Sequence, residues 1–288
     1  MEKSLQQCLS GKRFGLTLSA GFFGFYGHIG FMKGLSERGL VPQAYSGASA
    51  GGLVAGFSAA GMPISELEAL MLAQTRSSFW DPDLWGALVD TARGGHRPTG
   101  LLRGTRFLKL LEAHLPVPDF EGCRFPLRLV AANLSQGTPE IFSHGRLAPR
   151  ILATCAYPGL FRAVELDGQL YWDGGLLDKA PLLALADSAA AWGLEALLVH
   201  YLPSRAPTKP PGGTFAYAQG MASAVSALRK EHFQLQLEVL RSRGLPVYVI
   251  ESHLPQVSPR NMEQGPLAIE AARRQVAESL AKPATPSS

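Results

Sequence analysis

The segment Gly47-Ala48-Ser49-Ala50-Gly51 constrains the fold of this chain more than any other, because it joins two different local patterns. Residues 39–45 before it are typical of a turn that leads into a short buried strand. Residues 52–60 after it are small and apolar enough for a buried helix that ends at Gly61. A serine on such a sharp strand-to-helix turn has an exposed hydroxyl at the positive end of the helix. Ser49 is therefore a candidate nucleophile, and the alternative is a helix start packed tightly against a sheet.

A second glycine-rich turn lies upstream, between another strand pattern and another helix pattern. Residues 13–19 alternate as a strand does, residues 19–30 form the turn, and a helix pattern follows over residues 31–38. Free backbone N–H groups in such a turn bind either a nucleotide phosphate or a reaction oxyanion. Neither GxGxxG nor a lysine-bearing P-loop is complete, so the pattern favours an oxyanion. A plain packing turn remains the alternative.

The third feature is a short strand pattern that ends at Asp173 and is followed by Gly174 and Gly175. Asp-Gly is also a common structural turn. Beside a nucleophilic serine, however, a carboxylate in a dry cleft can serve as the general base without an intervening histidine. Ser49 and Asp173 are 124 residues apart (173 − 49), which allows two different strand ends to meet at one edge of a sheet.

These features resemble, in their order, those of the patatin-like phospholipases. The chain is similar to that family at Ser19–Gly24, Gly47–Gly51 and Asp173–Gly175. It also resembles the family at Phe125–Asn133, as the central strand, and at Leu152–Phe161, as the helix before the aspartate. The resemblance covers about residues 13–185 and implies an α/β fold with three α/β/α layers and a central, mostly parallel sheet.

The resemblance also implies a lipid acyl hydrolase of the phospholipase A or esterase type, without a cofactor or a metal. Ser49 would be the nucleophile and Asp173 the base of a Ser-Asp dyad that forms an acyl-enzyme. The implied oxyanion-hole residues are Ala20, Gly21, Phe22 and Gly24, and the motif glycines are Gly47, Gly51, Gly174 and Gly175. The glycine turn departs from the family's usual Gly-Gly-Gly-x-Arg-Gly, because the arginine is absent and two of the glycines remain.

Two alternative functions stay open at this point. One is an ordinary α/β-hydrolase with the chain order Ser, Asp, His, because His200, His232 and His253 all follow Asp173. His200 lies in an apolar strand pattern, which is more typical of a core residue. The other is a lipid-binding or regulatory module of the same fold with weak turnover. The altered glycine turn favours this module, whereas the presence of both Ser49 and Asp173 argues against it.

Composition limits the remaining classes. The net charge is only +4 and no nucleic-acid-binding motif is present, so nucleic acid is not the expected partner. The resemblance implies a lipid or phospholipid ester as the substrate. The three cysteines are scattered along the chain, which favours a reducing compartment. The histidines lie far apart in sequence, so the sequence gives no support to a metal site. Residues 14–32 and 39–65 are apolar but broken by Gly, Ser and Pro, so we predict buried core rather than membrane spans.

The organisation predicted is an N-terminal extension at 1–12, a single catalytic domain at 13–280 and a disordered tail at 281–288. Residues 77–89 are aromatic, and residues 91–111 contain five Arg or Lys and no acid. This combination suits peripheral contact with an anionic membrane surface, with solvated loop charge as the alternative. We therefore expect a cytoplasmic protein, with peripheral contact at a membrane surface as the further option. The sequence does not indicate its oligomeric state.

Overall fold

The computed structural model describes residues 3–83, 100–204 and 216–287. The predicted aromatic and basic region spans residues 77–111, and its middle part, residues 84–99, lies outside the described residues. Its two ends are described and contain parts of two helices, Arg76–Phe79 and Thr105–His114, and the short strand Gly100–Leu102.

The centre of the fold is an eight-stranded, mostly parallel sheet, as predicted. The strands in chain order are β1 (Phe14–Leu18), β2 (Ala44–Gly47), β3 (Gly100–Leu102), β4 (Leu127–Asn133), β5 (Thr138–Phe142), β6 (Gly159–Phe161), β7 (Val164–Leu166), β8 (Gln169–Asp173), β9 (Ala196–Tyr201) and β10 (Val247–Glu251). The spatial order is β10-β9-β1-β2-β4-β8-β7, and β5 also pairs with β4. The strands from β10 to β4 are parallel, whereas β8, β7 and β5 pair antiparallel. β3 and β6 form a separate parallel pair.

Helices cover both faces of the sheet and complete the three layers. They are α1 (Leu5–Leu9), α2 (Phe25–Ser36), α3 (Ala50–Ala59), α4 (Ile64–Leu72), α5 (Arg76–Phe79), α6 (Thr105–His114), α7 (Leu147–Thr154), α8 (Leu182–Ala186), α9 (Ala216–Arg243) and α10 (Gly265–Ala281). Leu198 of β9 packs into the core shared with α2, α3 and α10. Its neighbours Leu197 and Val199 pack into the core shared with α8 and α9. Successive side chains of a strand point to opposite faces, so both faces of β9 are buried.

The two apolar segments of the sequence are buried between the layers of the fold, as predicted. Residues 14–32 and 39–65 are divided among β1, α2, β2, α3 and the start of α4, and most of their side chains are buried. Among the helices of the described residues, none has the length and apolar character needed to cross a membrane.

The structure corrects two element boundaries. α2 begins at Phe25 rather than at residue 31, so the glycine turn is shorter than predicted. The helix expected over Leu152–Phe161 ends at Thr154, because Pro158 cannot continue a helix ladder and Gly159 adopts a φ of 78°. Residues 159–161 form β6 instead. At the C-terminus, where the sequence predicts disorder, Ala284 and Ser287 donate backbone hydrogen bonds to Lys3 and Val247.

Candidate active site

Ser49 lies on a pinched turn between β2 and α3. β2 ends at Gly47 and α3 begins at Ala50, and Ser49 between them has φ 56° and ψ −128°. A positive φ is strained for a residue with a side chain and is concentrated at functional sites. A Cβ atom at Gly47 would lie 2.6 Å from the carbonyl of Gly51, and one at Gly51 would lie 2.1 Å from the Leu18 carbonyl oxygen. Both glycines are therefore required for the close approach of the chain.

Asp173 reaches Ser49 because β4 stands between their two strands. In the register of the sheet, Gly47 of β2 pairs with Leu129 of β4. Asp173 at the end of β8 pairs with Ala131, two residues further along the same strand. The C-terminal ends of β2 and β8 therefore lie on either side of β4. This brings Ser49 and Asp173 close together, although they are far apart in sequence.

The Ser49 hydroxyl donates a hydrogen bond of 2.6 Å from Oγ to Oδ2 of Asp173. The other carboxylate oxygen, Oδ1, accepts the N–H of Gly175 at 2.8 Å. Asp173 is 3% exposed, and this burial raises the pKa of its carboxyl to about 6. The two hydrogen bonds and the charge of Arg229 oppose the rise. The carboxylate is therefore ionised at neutral pH but more basic than a solvated aspartate, which is the state that a general base requires.

Thr154 and Cys155 hold the backbone of Ser49 from the end of α7. The Ser49 N–H donates to Oγ1 of Thr154 at 3.0 Å, and that hydroxyl donates in turn to the carbonyl of Val130. The Cys155 thiol donates to the Ser49 carbonyl, with 3.2 Å between Sγ and O. Burial, with a contribution from the Asp173 charge, raises the pKa of this thiol well above its usual value, so it remains a donor. Together these contacts fix the strained serine in place.

Gly174 and Gly175 are packed as tightly as the glycines beside Ser49. A Cβ atom at Gly174 would lie 1.9 Å from the Val130 carbonyl oxygen, and one at Gly175 would lie 2.3 Å from Cβ of Ala20. The Gly175 carbonyl accepts a hydrogen bond of 2.8 Å from Nη1 of Arg229 on α9. This turn therefore joins the aspartate, the upstream glycine turn and α9 at one point.

The upstream glycine turn offers fewer free donors than the sequence predicts. The Ala20 N–H donates to the Lys179 carbonyl at 2.6 Å, and the Gly24 N–H donates to the Gly21 carbonyl at 2.9 Å. The N–H groups of Ala20 and Gly24, two of the predicted oxyanion-hole residues, are thus already bonded within the protein. Within the described residues, the N–H groups of Gly21 and Phe22 have no protein acceptor. Phe23, the next residue, has a φ of 53°.

The histidines of the described residues form no hydrogen bond with Ser49 or Asp173. His200 lies in the core, with its Nδ1 2.8 Å from Nδ1 of His28, and Nε2 of His28 donates to the Ser19 carbonyl at 2.8 Å. Burial lowers the pKa of His28 to about 4, and burial and His28 together lower that of His200, so both are neutral. Nδ1 of His232 is 3.9 Å from Asp178, not Asp173. The geometry therefore gives a Ser-Asp-His triad no support.

Ser49 and Asp173 line a cavity of about 710 Å³, a size typical of small-molecule sites. Gly21, Phe22, Ser49 and Asp173 all line it. Much of the remaining wall is apolar and includes Leu53, Met71, Phe79, Phe107, Leu110 and Phe161. Within the described residues, no group of three or more His, Cys, Asp or Glu side chains is placed to hold a metal ion.

Around the predicted site residues Ser49 and Asp173, the structure places four further residues that sequence reasoning did not single out. Thr154 and Cys155 support the serine, and Lys179 and Arg229 line the same cavity. The first three lie in or beside segments that carry the family resemblance. Arg229 lies on a long helix far outside them, and no pattern in the sequence indicates its position.

The sequence is similar to several proteins from bacteria and yeast. An uncharacterized NTE family protein of Mycobacterium tuberculosis is 28% identical over 221 residues, which are 76% of this chain and 58% of the relative. Lysophospholipase NTE1 of Candida glabrata is 25% identical over 185 residues, 63% of this chain and 10% of that protein. This chain therefore spans little more than half of the first relative and a small part of the second.

Comparison of structures and family models gives two further findings. The crystal structure of VipD from Legionella pneumophila aligns with 93% of this chain and 66% of its own, at 16% identity and a TM-score of 0.48. The family model described as patatin-like phospholipase matches residues 16–186, which is more than half of the chain. The matched region begins in β1, ends in α8 and includes the glycine turn, Ser49 and Asp173. The chain belongs to the patatin-like phospholipase family, a family of lipid hydrolases.

Proposed function

We propose that this protein is a lipid acyl hydrolase that cleaves carboxylic esters through Ser49 and Asp173. The observation that carries the proposal is the 2.6 Å hydrogen bond from Ser49 Oγ to a buried carboxylate at the wall of a largely apolar cavity. Membership of the patatin-like phospholipase family supports the same reaction class. A serine-bound acyl group is the expected intermediate, because the nucleophile and its base are in direct contact.

The reaction divides into two steps of the same kind. Ser49 Oγ attacks the ester carbonyl carbon while its proton passes to Oδ2 of Asp173. The carbon–oxygen bond to the alcohol then breaks, and the alcohol leaves with the proton from Asp173. In the second step, water attacks the acyl-enzyme, Asp173 takes its proton, and the fatty acid is released as Ser49 recovers its hydrogen. The base is thus regenerated and no cofactor is consumed.

We propose that the N–H groups of Gly21 and Phe22 stabilise the oxyanion of both steps. They line the cavity beside Ser49 and have no protein acceptor within the described residues. The N-terminus of α3, which starts at Ala50, adds its positive dipole end. Because these donors belong to the backbone, the absence of the family arginine from this turn does not remove them.

Substitution of Gly21 by valine is expected to lower kcat by about 10²-fold. A Cβ atom there would already lie 3.0 Å from Cδ1 of Leu202, so a branched side chain must displace either this leucine side chain or the turn. The expected loss of kcat follows from movement of the turn and its N–H. Steady-state hydrolysis of a p-nitrophenyl ester by the folded variant measures the effect. Phe22→Leu, which keeps its N–H in place, is the matched control and is expected to lose much less. Wild-type turnover by Gly21→Val would show that the oxyanion hole lies elsewhere.

The pH dependence of kcat/KM should report the ionisation of Asp173. Burial raises the pKa of this carboxyl to about 6, and the protonated acid cannot accept the Ser49 proton. Activity should therefore be lost as the pH falls through about 6, by about tenfold for each further pH unit. Circular dichroism at each pH separates this loss from unfolding. A profile that stays flat down to pH 4 would contradict the role of Asp173 as the base.

The proposed substrate is a lipid ester, and contact with a lipid surface belongs to the same proposal. Phe22 is 60% exposed and Tyr157 is 44% exposed, and both line the cavity. Their ring centres are 6.2 Å apart. Exposed aromatic side chains at the opening of an apolar cavity suit a lipid-water interface.

The experiment that tests the proposed function is hydrolysis measured on two kinds of ester. Purified protein is incubated with p-nitrophenyl esters of several chain lengths and with phospholipids, and released fatty acid is quantified. Steady turnover that requires Ser49 supports the proposal. Binding of lipid without release of fatty acid from any of these esters would favour the lipid-binding module and overturn it.

A further inference from the structure

A pair of buried histidines contacts the start of the glycine turn, and the ester-cleaving steps do not use it. His28 belongs to α2 and His200 to β9, and both side chains are 0% exposed. Their Nδ1 atoms are 2.8 Å apart, and Nε2 of His28 lies 2.8 Å from the carbonyl oxygen of Ser19. Ser19 directly follows β1 and leads into the glycine turn. The pair therefore bonds the backbone that precedes the proposed oxyanion donors.

The Ser19 carbonyl determines which ring nitrogens of the pair carry protons. A carbonyl oxygen only accepts, so Nε2 of His28 is the donor. Both rings are neutral, because burial lowers the pKa of His28 to about 4, and burial and then His28 lower the pKa of His200. A neutral imidazole has one N–H, so Nδ1 of His28 accepts and Nδ1 of His200 donates. Nε2 of His200 is then an acceptor, and it has no hydrogen-bond partner within the described residues.

The hydrogen bond from His28 holds one side of a peptide unit whose other side is also bonded. The peptide bond between Ser19 and Ala20 is planar and trans, so its carbonyl and its N–H point in opposite directions. The carbonyl accepts from His28, and the N–H donates to the Lys179 carbonyl at 2.6 Å. This unit cannot rotate without breaking one of the two bonds. The next N–H along the chain belongs to Gly21, a proposed oxyanion donor.

The end of β9 and the start of α3 hold the rest of Ser19. Its N–H donates to the His200 carbonyl at 3.2 Å, and its Oγ accepts the Leu202 N–H at 2.8 Å. The Ser19 carbonyl oxygen also lies against α3, since a Cβ atom at Gly51 would be 2.7 Å from it. The start of the glycine turn is thus fixed relative to the helix that begins beside Ser49. A shift of this carbonyl would move the proposed oxyanion donors relative to the nucleophile.

We propose that His28 and His200 are positioning residues that hold the N–H groups of Gly21 and Phe22 toward the oxyanion formed at Ser49. The proposal rests on the hydrolase function above and adds two residues that act through the backbone, without touching the substrate. Negative charge develops on the ester oxygen only as the tetrahedral intermediate forms, so well-placed donors lower the barrier without strengthening ester binding. Because both steps use the same donors, loss of the pair should lower kcat and leave KM nearly unchanged.

The first test is steady-state hydrolysis of a p-nitrophenyl ester by variants of α2. His28→Leu removes the donor to the Ser19 carbonyl and should lower kcat about tenfold or more, with KM within about twofold of wild type. His28→Gln supplies an N–H donor and a carbonyl acceptor and should recover most of the lost kcat. Leu35→Ala is the matched control, because Leu35 is fully buried on the same helix and does not line the cavity. It should lower the unfolding temperature and leave kcat of the folded protein within about twofold of wild type.

Three kinetic results would overturn the proposal. They are a wild-type kcat in folded His28→Leu, a loss confined to KM, and a loss of kcat in Leu35→Ala as large as that in His28→Leu. Any of these would reduce the pair to a packing role. If His28→Leu does not fold, the second test decides, because its first measurement uses wild-type protein.

The second test observes the pair by NMR and needs no hydrolysis. In wild-type protein with ¹⁵N-labelled histidine, His28 should be protonated at Nε2 and His200 at Nδ1, and the spectrum of His28→Gln assigns the His28 signals. A His28 ring protonated at Nδ1 alone could not donate to Ser19 and would overturn the proposal. The amide signals of Gly21 and Phe22 should shift in folded His28→Leu, and unchanged signals would also overturn it.

The two tests separate failure of this proposal from failure of the proposed function. A wild-type protein that has the expected tautomers but releases no fatty acid from any ester would contradict the hydrolase function, while His28 would still be shown to bond the turn. Ester hydrolysis that is lost in Ser49→Ala but unaffected by His28→Leu would leave the hydrolase function in place and refute the positioning role.

Discussion

Ser49→Ala is expected to lower ester hydrolysis by about 10³-fold or more while leaving the protein folded. The hydroxyl is the group that would form the acyl-enzyme, and it is the side chain that donates a hydrogen bond to Oδ2 of Asp173. Alanine removes one oxygen from a turn whose backbone is held by Thr154 and Cys155, so the turn itself should persist. The measurement is steady-state release of p-nitrophenol, with circular dichroism and thermal unfolding as checks on folding.

A matched control separates loss of the nucleophile from loss of a buried hydrogen bond. Ser58→Ala removes a buried hydroxyl further along α3, and this hydroxyl does not line the cavity. The Ser58→Ala variant should retain turnover within a few-fold of wild type. Wild-type activity in folded Ser49→Ala would remove the serine from the mechanism.

Asp173→Asn should reduce kcat roughly 10³-fold, because the amide cannot take the Ser49 proton. The change preserves size, and the amide oxygen can still accept the Gly175 N–H, so the turn after β8 should remain in place. Since the two residues act as one unit, the Ser49→Ala, Asp173→Asn double variant should be little worse than Ser49→Ala alone. Kinetics of the two single variants and the double variant, measured with one ester, give the comparison.

Histidine variants decide between a dyad and a triad. His232→Ala and His253→Ala should each stay within about tenfold of wild type, because neither side chain bonds Ser49 or Asp173. His28 and His200 are fully buried and bonded to each other, so their substitution should lower stability as well as activity. A folded His232 or His253 variant as inactive as Ser49→Ala would favour the Ser-Asp-His alternative.

The positions of Ser49 and Asp173 could be predicted because each follows a strand pattern and adjoins small residues. Such positions converge on one edge of a sheet, and glycines mark the points where backbone lies against backbone. The atoms that would clash with a Cβ at Gly51 and Gly174 are carbonyl oxygens of Leu18 and Val130. The three-layer fold with its mostly parallel sheet was predicted from the resemblance to the patatin-like phospholipases, and the burial of both faces of β9 agrees with it.

The oxyanion turn and its surroundings could not be predicted in detail. Which N–H groups are free depends on carbonyls from elsewhere, and the acceptor for Ala20 is Lys179, far along the chain. The position of Arg229 depends in turn on how α9 packs against the sheet, which a helical pattern does not specify. Local sequence patterns indicate elements and their ends, whereas these contacts arise from the packing of distant elements.

Labelling with a fluorophosphonate probe tests the central claim most directly, because the probe reacts with an activated serine whatever the natural substrate is. After digestion and mass spectrometry, the phosphonyl group should be found on the peptide that contains Ser49, once per chain. Labelling should be absent from Ser49→Ala and strongly slowed in Asp173→Asn. A label on a different serine, or continued ester hydrolysis by protein that the probe does not label, would contradict the Ser49–Asp173 dyad.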